Sequence, residues 1–203
     1  MAQDTLAPWA EPVPDVGPMT AEGLFALQDD EHGAQFELVE GRLVRMPPSG
    51  GQASRIAMRL GAALLAFVDR HQLGAVTGQD GAFDLTLPGA SRATVLAPDV
   101  AFVRAAQVPA AESPEYARAW PVAPDIAAEV VSPSQYRPEM AVKARRYLNA
   151  GVRLVWVIWP ARRELDVWLP GSNEPVQTLT QGDVLDGVDV LPGFAYPLAD
   201  LFA

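Results

Sequence analysis

The sequence predicts an α/β fold in which a mixed central β-sheet is flanked by helices. Residues 126–131 and 153–159 are two strongly apolar segments, typical of strands that are buried on both faces of a sheet. Between them, Pro138 suits the first turn of a helix and Gly151 suits the residue that ends one. This spacing predicts a parallel strand–helix–strand crossover, whereas the turn at Glu40-Gly41 predicts an antiparallel hairpin, so both pairings are expected.

The chain begins with an arm and continues as one domain. Residues 1–18 contain four prolines and no periodic pattern, which favours an extended or disordered arm. The remaining residues, 19–203, are enough for a single domain with a substantial core. We therefore expect a division between residues 18 and 19.

The elements of the domain follow from short-range patterns. Apolar residues at helical spacing, from Ile56 to Val68, predict a long helix, and Thr20 is a suitable N-cap for a short one. In order, the expected elements are a helix over 20–29, hairpin strands over 35–39 and 42–46, a helix over 52–71, strands near 75–79, 82–87 and 94–103, a loop or short helix over 109–124, the strand–helix–strand unit over 126–159 and short strands from 164 onward.

Composition excludes several classes of site. The chain has no cysteine and two histidines, His32 and His71, without metal-ligand spacing, so a thiolate zinc site and a cysteine nucleophile are excluded. No apolar run reaches the ~18 residues that span a bilayer. No basic residue precedes Arg42, unlike a secretory signal. We expect a cytoplasmic protein that does not enter a membrane.

The negative charge is concentrated at the N-terminus. The net charge is −10, of which residues 1–41 carry −9. Residues 100–163 carry +4. The acidity therefore does not exclude phosphate binding in the later part of the chain.

Lys143 is the one lysine of the chain, alongside fourteen arginines. Its retention is either chance in an arginine-rich composition or a requirement for a compact ammonium whose pKa responds to burial. On the predicted helix, Met140, Lys143 and Tyr147 lie at i, i+3 and i+7, next to the apolar stripe. Lys143 is thus expected at the border of the buried helix face.

Several segments form an ordered series along the chain: FELVEG at 36–41, APDVAFV at 97–103, PDIAAEVVSPS at 124–134, Lys143 with Tyr147, AGVRLVWVI at 150–158 and GDVLDG at 182–187. This series resembles the family of putative restriction endonucleases within the PD-(D/E)xK nuclease superfamily. The resemblance implies a restriction-endonuclease-like architecture. It also implies hydrolysis of DNA phosphodiester bonds with Mg²⁺, or Mn²⁺ as a substitute. Two carboxylates and one lysine form a minimal set for that chemistry, since a hard cation takes oxygen ligands and a lysine can position or deprotonate the attacking water.

The catalytic and metal residues are expected to be Asp99 and Glu129, with Lys143 as the third catalytic residue. Asp125 is the alternative aspartate. It shares a strand face with Glu129 but lies four residues away, about 13 Å along an extended strand, which is too far for one ion. Asp99 comes from another strand and is free to lie beside Glu129. A carboxylate within a strand of Val, Ile and Ala is costly unless it is ligated or paired.

For each of four further candidates, a role in the site competes with an ordinary structural or surface role. Glu37 is either an auxiliary metal or water ligand or a solvent-facing strand residue. Glu139 either orients the Lys143 ammonium at i, i+4 or forms an ordinary helix ion pair. Arg145 and Arg146 are the expected nucleic-acid contacts, and solvated surface arginines are the alternative. Asp84, Arg162 and Arg163 are more distant possibilities.

Departures from the family pattern favour a second hypothesis, a catalytically inactive module with a binding or regulatory role. Val131 stands where the superfamily has its lysine, and Trp159 stands where the family has an acid. The long helix begins with Gln52, Ala53 and Ser54 where many relatives have a histidine. A small-molecule hydrolase is disfavoured, because the chain has no Gly-x-Ser-x-Gly elbow.

We also expect a homodimer. Cutting both strands of a duplex with one site per chain requires two chains, and twofold dimers are the commonest assembly. Trp156, Trp159 and Trp168 are candidates for apolar contact surface, with burial inside the fold as the alternative.

Overall fold

A computed structural model describes residues 7–9, 11–13, 17–30, 35–46, 48–133 and 135–203. The strands within them are β1 (Glu11–Pro12), β2 (Gln35–Val39), β3 (Arg42–Met46), β4 (Gly74–Gly78), β5 (Phe83–Asp84), β6 (Val95–Leu96), β7 (Val100–Arg104), β8 (Ile126–Val130), β9 (Leu154–Trp159), β10 (Glu164–Trp168), β11 (Gln177–Thr180), β12 (Val184–Gly187) and β13 (Leu191–Pro197). The helices are α1 (Ala21–Asp30), α2 (Gly51–His71), α3 (Arg137–Asn149) and α4 (Leu198–Leu201).

The central sheet is mixed, as predicted. Its strand order is β11-β10-β9-β8-β7-β4. The β8–β9 pair is parallel and is connected through α3, while the other neighbours are antiparallel. The predicted α/β class is confirmed.

A smaller sheet, of order β1-β3-β2-β6-β5, lies beside the central sheet in the fold. It contains the predicted hairpin, in which Val39 pairs with Arg42 across the turn. Glu40 and Gly41 both have positive φ angles, of 51° and 77°, as a tight hairpin turn requires. The hairpin prediction is confirmed at both of its strands.

Two strand predictions were wrong between residues 82 and 103. The single strand expected over 94–103 is two strands, because the chain leaves the small sheet after β6 and enters the central sheet at β7. Pro98 lies at this break, where a residue without a backbone N–H interrupts no sheet ladder. The strand expected over 82–87 is only β5, because the Asp84 carboxylate accepts hydrogen bonds from the backbone and hydroxyl of Thr86 and turns the chain.

Helices α2 and α3 cover opposite faces of the central sheet. The apolar stripe of α2, including Leu60 and Leu64, packs with Ile126, Ala128 and Val130. The buried face of α3 packs with Ala127 and Val131. Because side chains alternate along β8, Glu129 projects to the α3 side. This alternation sets up the site described below.

The described part of the arm lies against the domain. Strand β1 pairs antiparallel with β3, and Trp9 is 3% exposed. Residues 1–6, 10 and 14–16 lie outside the described residues, so the proposed boundary after residue 18 stays a prediction. Among the helices of the described ranges, none is long and apolar enough to cross a membrane.

Candidate active site

The antiparallel pairing of β7 with β8 brings Asp99 next to Glu129. Val100 pairs with Ala128, so the next step along both strands places Asp99 beside Glu129. The Asp99 carboxylate accepts a hydrogen bond from the backbone N–H of Val130 at 2.6 Å. Two carboxylates, one on β8 and one directly before β7, therefore meet at one end of the central sheet.

Lys143 reaches the same point from α3. Its side chain is 1% exposed, so it lies inside the buried face of the helix and not at its border. The Nζ atom donates to Oε1 of Glu129 at 2.9 Å. The structure thus brings together Asp99, Glu129 and Lys143.

Glu37 joins this group from the small sheet. It is 1% exposed, which is inconsistent with a solvent-facing strand residue. Its Oε1 atom lies 3.3 Å from Nζ of Lys143 and accepts from the backbone N–H of Ala97 at 3.0 Å. Because Ala97 stands two residues before Asp99, Glu37 connects the lysine to the segment that presents the aspartate.

Sequence reasoning did not identify Tyr147 and Trp9 as site residues. The hydroxyl of Tyr147 donates to Oε1 of Glu129 at 2.7 Å, and the indole N–H of Trp9 donates to Oε2 of Glu37 at 3.2 Å. The i, i+4 spacing of Lys143 and Tyr147 on one helix face was a usable signal for Tyr147. The arm has no periodicity, so nothing local pointed to Trp9.

Burial and charge shift the titration of the site in opposite directions. Burial raises the pKa of Glu129 to about 7, opposed by the Lys143 ammonium and aided by the carboxylates of Asp99 and Glu37. Burial also raises the pKa of Asp99, against the hydrogen bond from Val130. Burial by itself lowers the pKa of Lys143, but the Glu129 and Glu37 carboxylates outweigh it, and this pKa lies above its ordinary value. Lys143 is therefore a stable ammonium at neutral pH.

A cavity of about 320 Å³ opens onto these groups. Glu37, Asp99, Glu129 and Lys143 line it. The other polar residues along its wall are Gln35, Ser49, Gln79, Asp80, Ser132 and Gln135. The carboxylates and the ammonium thus belong to the wall of one cavity, although Lys143 itself is buried.

The donor set fits a hard divalent cation with few protein ligands. Across the described ranges, no three His, Cys, Asp or Glu side chains form a group that could hold a metal ion. Mg²⁺ commonly takes one or two carboxylates and completes its shell with water and phosphate oxygens. Asp99 and Glu129 are two such carboxylates, and both line the cavity.

Asp125 lies at the other end of β8, where it is paired with arginines. It is 2% exposed and accepts from the backbone N–H of Arg104 at 2.9 Å. The guanidinium groups of Arg104 and Arg153 lie 3.3 and 3.4 Å from its Oδ1 atom. The second Pro-Asp pair of the sequence is therefore separate from the site.

Glu139, Arg145 and Arg146 also lie away from the carboxylates. The Glu139 side chain accepts from the backbone N–H of Tyr136 at 3.0 Å, which caps the start of α3. Arg145 donates to the carbonyl of Asn173, and Arg146 pairs with Glu40 at 2.9 Å. Both arginines line a second cavity, of about 660 Å³.

Val131 and Trp159, the two strand residues that depart from the superfamily and family patterns, each pack against neighbouring residues. Val131 is 5% exposed and packs in the apolar core beneath α3. Trp159 donates its indole N–H to Asp166 at 2.8 Å, and the Arg137 guanidinium lies 4.8 Å from its ring centroid. Asp166 is itself paired with Arg137 at 2.5 Å. Trp159 on β9 thus belongs to a cluster with Asp166 on β10 and Arg137 on α3.

Comparison with known proteins gives a family and a fold. A family model named Uma2 and described as a putative restriction endonuclease matches residues 21–199. The crystal structure of a putative nuclease belonging to DUF820 from Anabaena variabilis is similar, with a TM-score of 0.73. The two chains are 20% identical over 91% of this chain and 98% of that one. No curated protein matches the sequence.

Proposed function

Because this chain belongs to the Uma2 family, described as putative restriction endonucleases, we propose that it is a metal-dependent endonuclease that hydrolyses DNA phosphodiester bonds. The fold is compatible with this assignment, since the similar crystal structure is that of a putative nuclease. The proposal goes further than family and fold in three respects: the metal, the substrate and the residues that act.

One observation carries the proposal. A buried ammonium, Nζ of Lys143, donates to a carboxylate of the central sheet at 2.9 Å, with a second carboxylate on the neighbouring strand. A buried lysine on apolar scaffolding is costly unless it is paired, and here the pairing takes place at the wall of a cavity. Acidic ligands and one fixed cation facing a common space are what phosphoryl-transfer chemistry requires.

Asp99 and Glu129 would hold Mg²⁺ or Mn²⁺ in this proposal. The bound cation supplies Lewis acidity and offsets negative charge on the phosphate. The raised pKa of Lys143 supports a role as a hydrogen-bond donor that stabilises developing negative charge, and disfavours proton abstraction by this residue. Tyr147 fixes the orientation of Glu129 by its 2.7 Å hydrogen bond.

Nucleic-acid contacts are assigned to Arg145 and Arg146. Both lie on the face of α3 that lines the second cavity. Arg92, from another part of the chain, also lines this cavity. Glu40 is the acidic residue along that wall, so the charge balance there favours an anion.

The deciding experiment is a cleavage assay with Mg²⁺ or Mn²⁺ on plasmid, branched and single-stranded DNA. We expect the wild-type protein to cut at least one substrate, and Asp99→Ala and Lys143→Ala to abolish the cutting. Chelation of the metal should have the same effect. Cleavage that survives both substitutions would exclude this site as the source of activity.

A catalytically inactive binding module is the second candidate. It is favoured by Trp159, which stands where the family has an acid, and by Val131, which stands where the superfamily has its lysine. Titration calorimetry separates the two functions. A folded protein that binds neither Mg²⁺ nor Mn²⁺ at millimolar concentration would support the module.

A further inference from the structure

Trp9 contacts two of the charged groups of the candidate active site. Its indole N–H donates to Oε2 of Glu37 at 3.2 Å. Nζ of Lys143 lies 5.7 Å from its ring centroid, within the range of a cation–π interaction. One side chain of the arm therefore touches both members of the Glu37–Lys143 ion pair.

Trp9 donates the hydrogen bond that holds Oε2, the second carboxylate oxygen of Glu37. Oε1 is held by Lys143 at 3.3 Å and by the backbone N–H of Ala97 at 3.0 Å. Oε2 is held by Trp9. A carboxylate held at both oxygens has one orientation, and in that orientation Glu37, together with Glu129 at 2.9 Å, holds the ammonium.

Trp9 lies next to residues of the cavity wall but does not line the cavity. Glu37, Lys143 and Gln135 line the 320 Å³ cavity, whereas Trp9 is not among its lining residues. The backbone carbonyl of Trp9 accepts from the Gln135 side chain at 3.1 Å. Gln135 in turn accepts from the backbone N–H of Ser132 at 2.9 Å, just beyond β8. Trp9 is thus held next to the strand that carries Glu129, and it is not itself part of the cavity wall.

We propose that Trp9 is a positioning residue, which holds the Glu37 carboxylate and the Lys143 ammonium in the geometry that the reaction uses. The role rests on the proposed nuclease function. Trp9 lies before residue 21, where the match to the family model begins, so the arm adds a part to the site that the matched region does not contain.

Two substitutions separate the two contacts of Trp9. Trp9→Phe keeps an aromatic face against Lys143 and removes the N–H that Glu37 accepts. Trp9→Ala removes both. Trp120→Phe is the matched control, because Trp120 is 8% exposed and its indole N–H also donates at 3.2 Å, to the Tyr116 carbonyl, away from the site.

The first measurement is steady-state cleavage. Trp9→Phe should lower kcat by about 10-fold, because a small misplacement of a catalytic group is expensive, with KM within about twofold. Trp120→Phe should leave both constants unchanged. In a Glu37→Gln background, Trp9→Phe should have little further effect on kcat, since Trp9 acts through Glu37. Equal effects of Trp9→Phe and Trp120→Phe, or additivity with Glu37→Gln, would overturn the proposal.

The second measurement needs no enzymatic activity. Lys143 is the one lysine side chain, so its acetylation can be followed by peptide mass spectrometry apart from the N-terminal amine. Trp9→Ala should raise its rate by about 10-fold or more, because a buried amine reacts only when the structure around it opens. Trp9→Phe and Trp120→Phe should react at the wild-type rate.

The two measurements distinguish the possible failures. If the wild-type protein cuts no DNA, the proposed function fails, and the acetylation rates alone decide whether Trp9 holds Lys143. An unchanged rate in Trp9→Ala would overturn the inference. If Trp9→Ala does not fold, the Phe variant and its coupling to Glu37 decide.

Discussion

Lys143 occupies a space that restricts both the size and the charge of any replacement. Arginine keeps the charge but is larger, and the surrounding side chains leave the residue 1% exposed. We expect Lys143→Arg to destabilise the protein by about 1–3 kcal/mol through overpacking. We also expect turnover to fall by about 10²-fold or more, because the forked guanidinium cannot take the place of the ammonium beside Glu129. Denaturant unfolding and single-turnover cleavage measure the two effects, and wild-type turnover in Lys143→Arg would contradict the assigned role.

The two Pro-Asp pairs provide a matched test of the metal site. Asp99→Asn keeps an oxygen that can accept from Val130 but loses its charge, so Mg²⁺ affinity should fall by at least about 10-fold. Asp125→Asn should leave Mg²⁺ affinity unchanged. It should cost about 1–3 kcal/mol of stability, since Asp125 is buried against Arg104 and Arg153. Titration calorimetry on both variants checks this, and equal loss of Mg²⁺ affinity would contradict the assignment of Asp99.

Mg²⁺ binding should weaken as the pH falls through neutrality. The pKa of Glu129 is raised to about 7, so its proton must leave before the carboxylate can bind a cation. Without metal the same shift favours the protonated folded state. Its stabilising contribution is complete below the ordinary pKa of 4.5 and is lost as the pH rises through about 7. Calorimetry from pH 8 to pH 6 should show affinity falling, by at most about tenfold per unit for one proton. Affinity independent of pH in this range would contradict the titration of Glu129.

At the scale of single elements, local sequence signals predicted most of the fold. The turn at Glu40-Gly41 and the apolar spacing of α2 each depend on residues close together in the chain, and both elements formed within a residue or two of the prediction. The break at Pro98 was missed because residues on both sides favour strand. Which sheet each side joins is decided by long-range pairing, which a local pattern does not contain.

In the candidate site too, local patterns predicted some positions, and long-range packing decided the others. Strand alternation placed Glu129 on one face, and helical spacing placed Lys143 near the buried face of α3. The burial of Glu37 and Trp9 was not predictable, because it results from the small sheet and the arm packing against α3. Their partners lie 106 and 28 residues away in the sequence.

Glu139 caps the start of α3, and we expect it to act there and not in the reaction. Because its carboxylate accepts from the Tyr136 backbone, Glu139→Ala should destabilise the protein by about 0.5–2 kcal/mol, the usual cost of a lost cap. Mg²⁺ affinity should stay unchanged, and kcat should stay near wild type. Thermal unfolding and cleavage assays measure this, and a large loss of kcat with unchanged stability would return Glu139 to the site.

At the scale of the whole molecule, a homodimer stays our prediction. The three candidate tryptophans, Trp156, Trp159 and Trp168, are at most 7% exposed and cannot supply contact surface. Met58 and Leu65, on one face of α2, are 73% and 45% exposed and are better candidates. Light scattering at micromolar concentration should give twice 21.7 kDa, and Met58→Lys should lower the mass if this face is the contact. A wild-type mass near 21.7 kDa would reject the dimer.

The four charged groups of the site come from three parts of the fold: Glu37 from the small sheet, Asp99 and Glu129 from the central sheet, and Lys143 from α3. During synthesis the acidic residues leave the ribosome first, and the lysine emerges only after residue 142. A nascent or truncated chain that ends before Lys143 therefore contains the carboxylates but lacks the ammonium that pairs with them. No complete site therefore exists until both sheets and the helix are assembled.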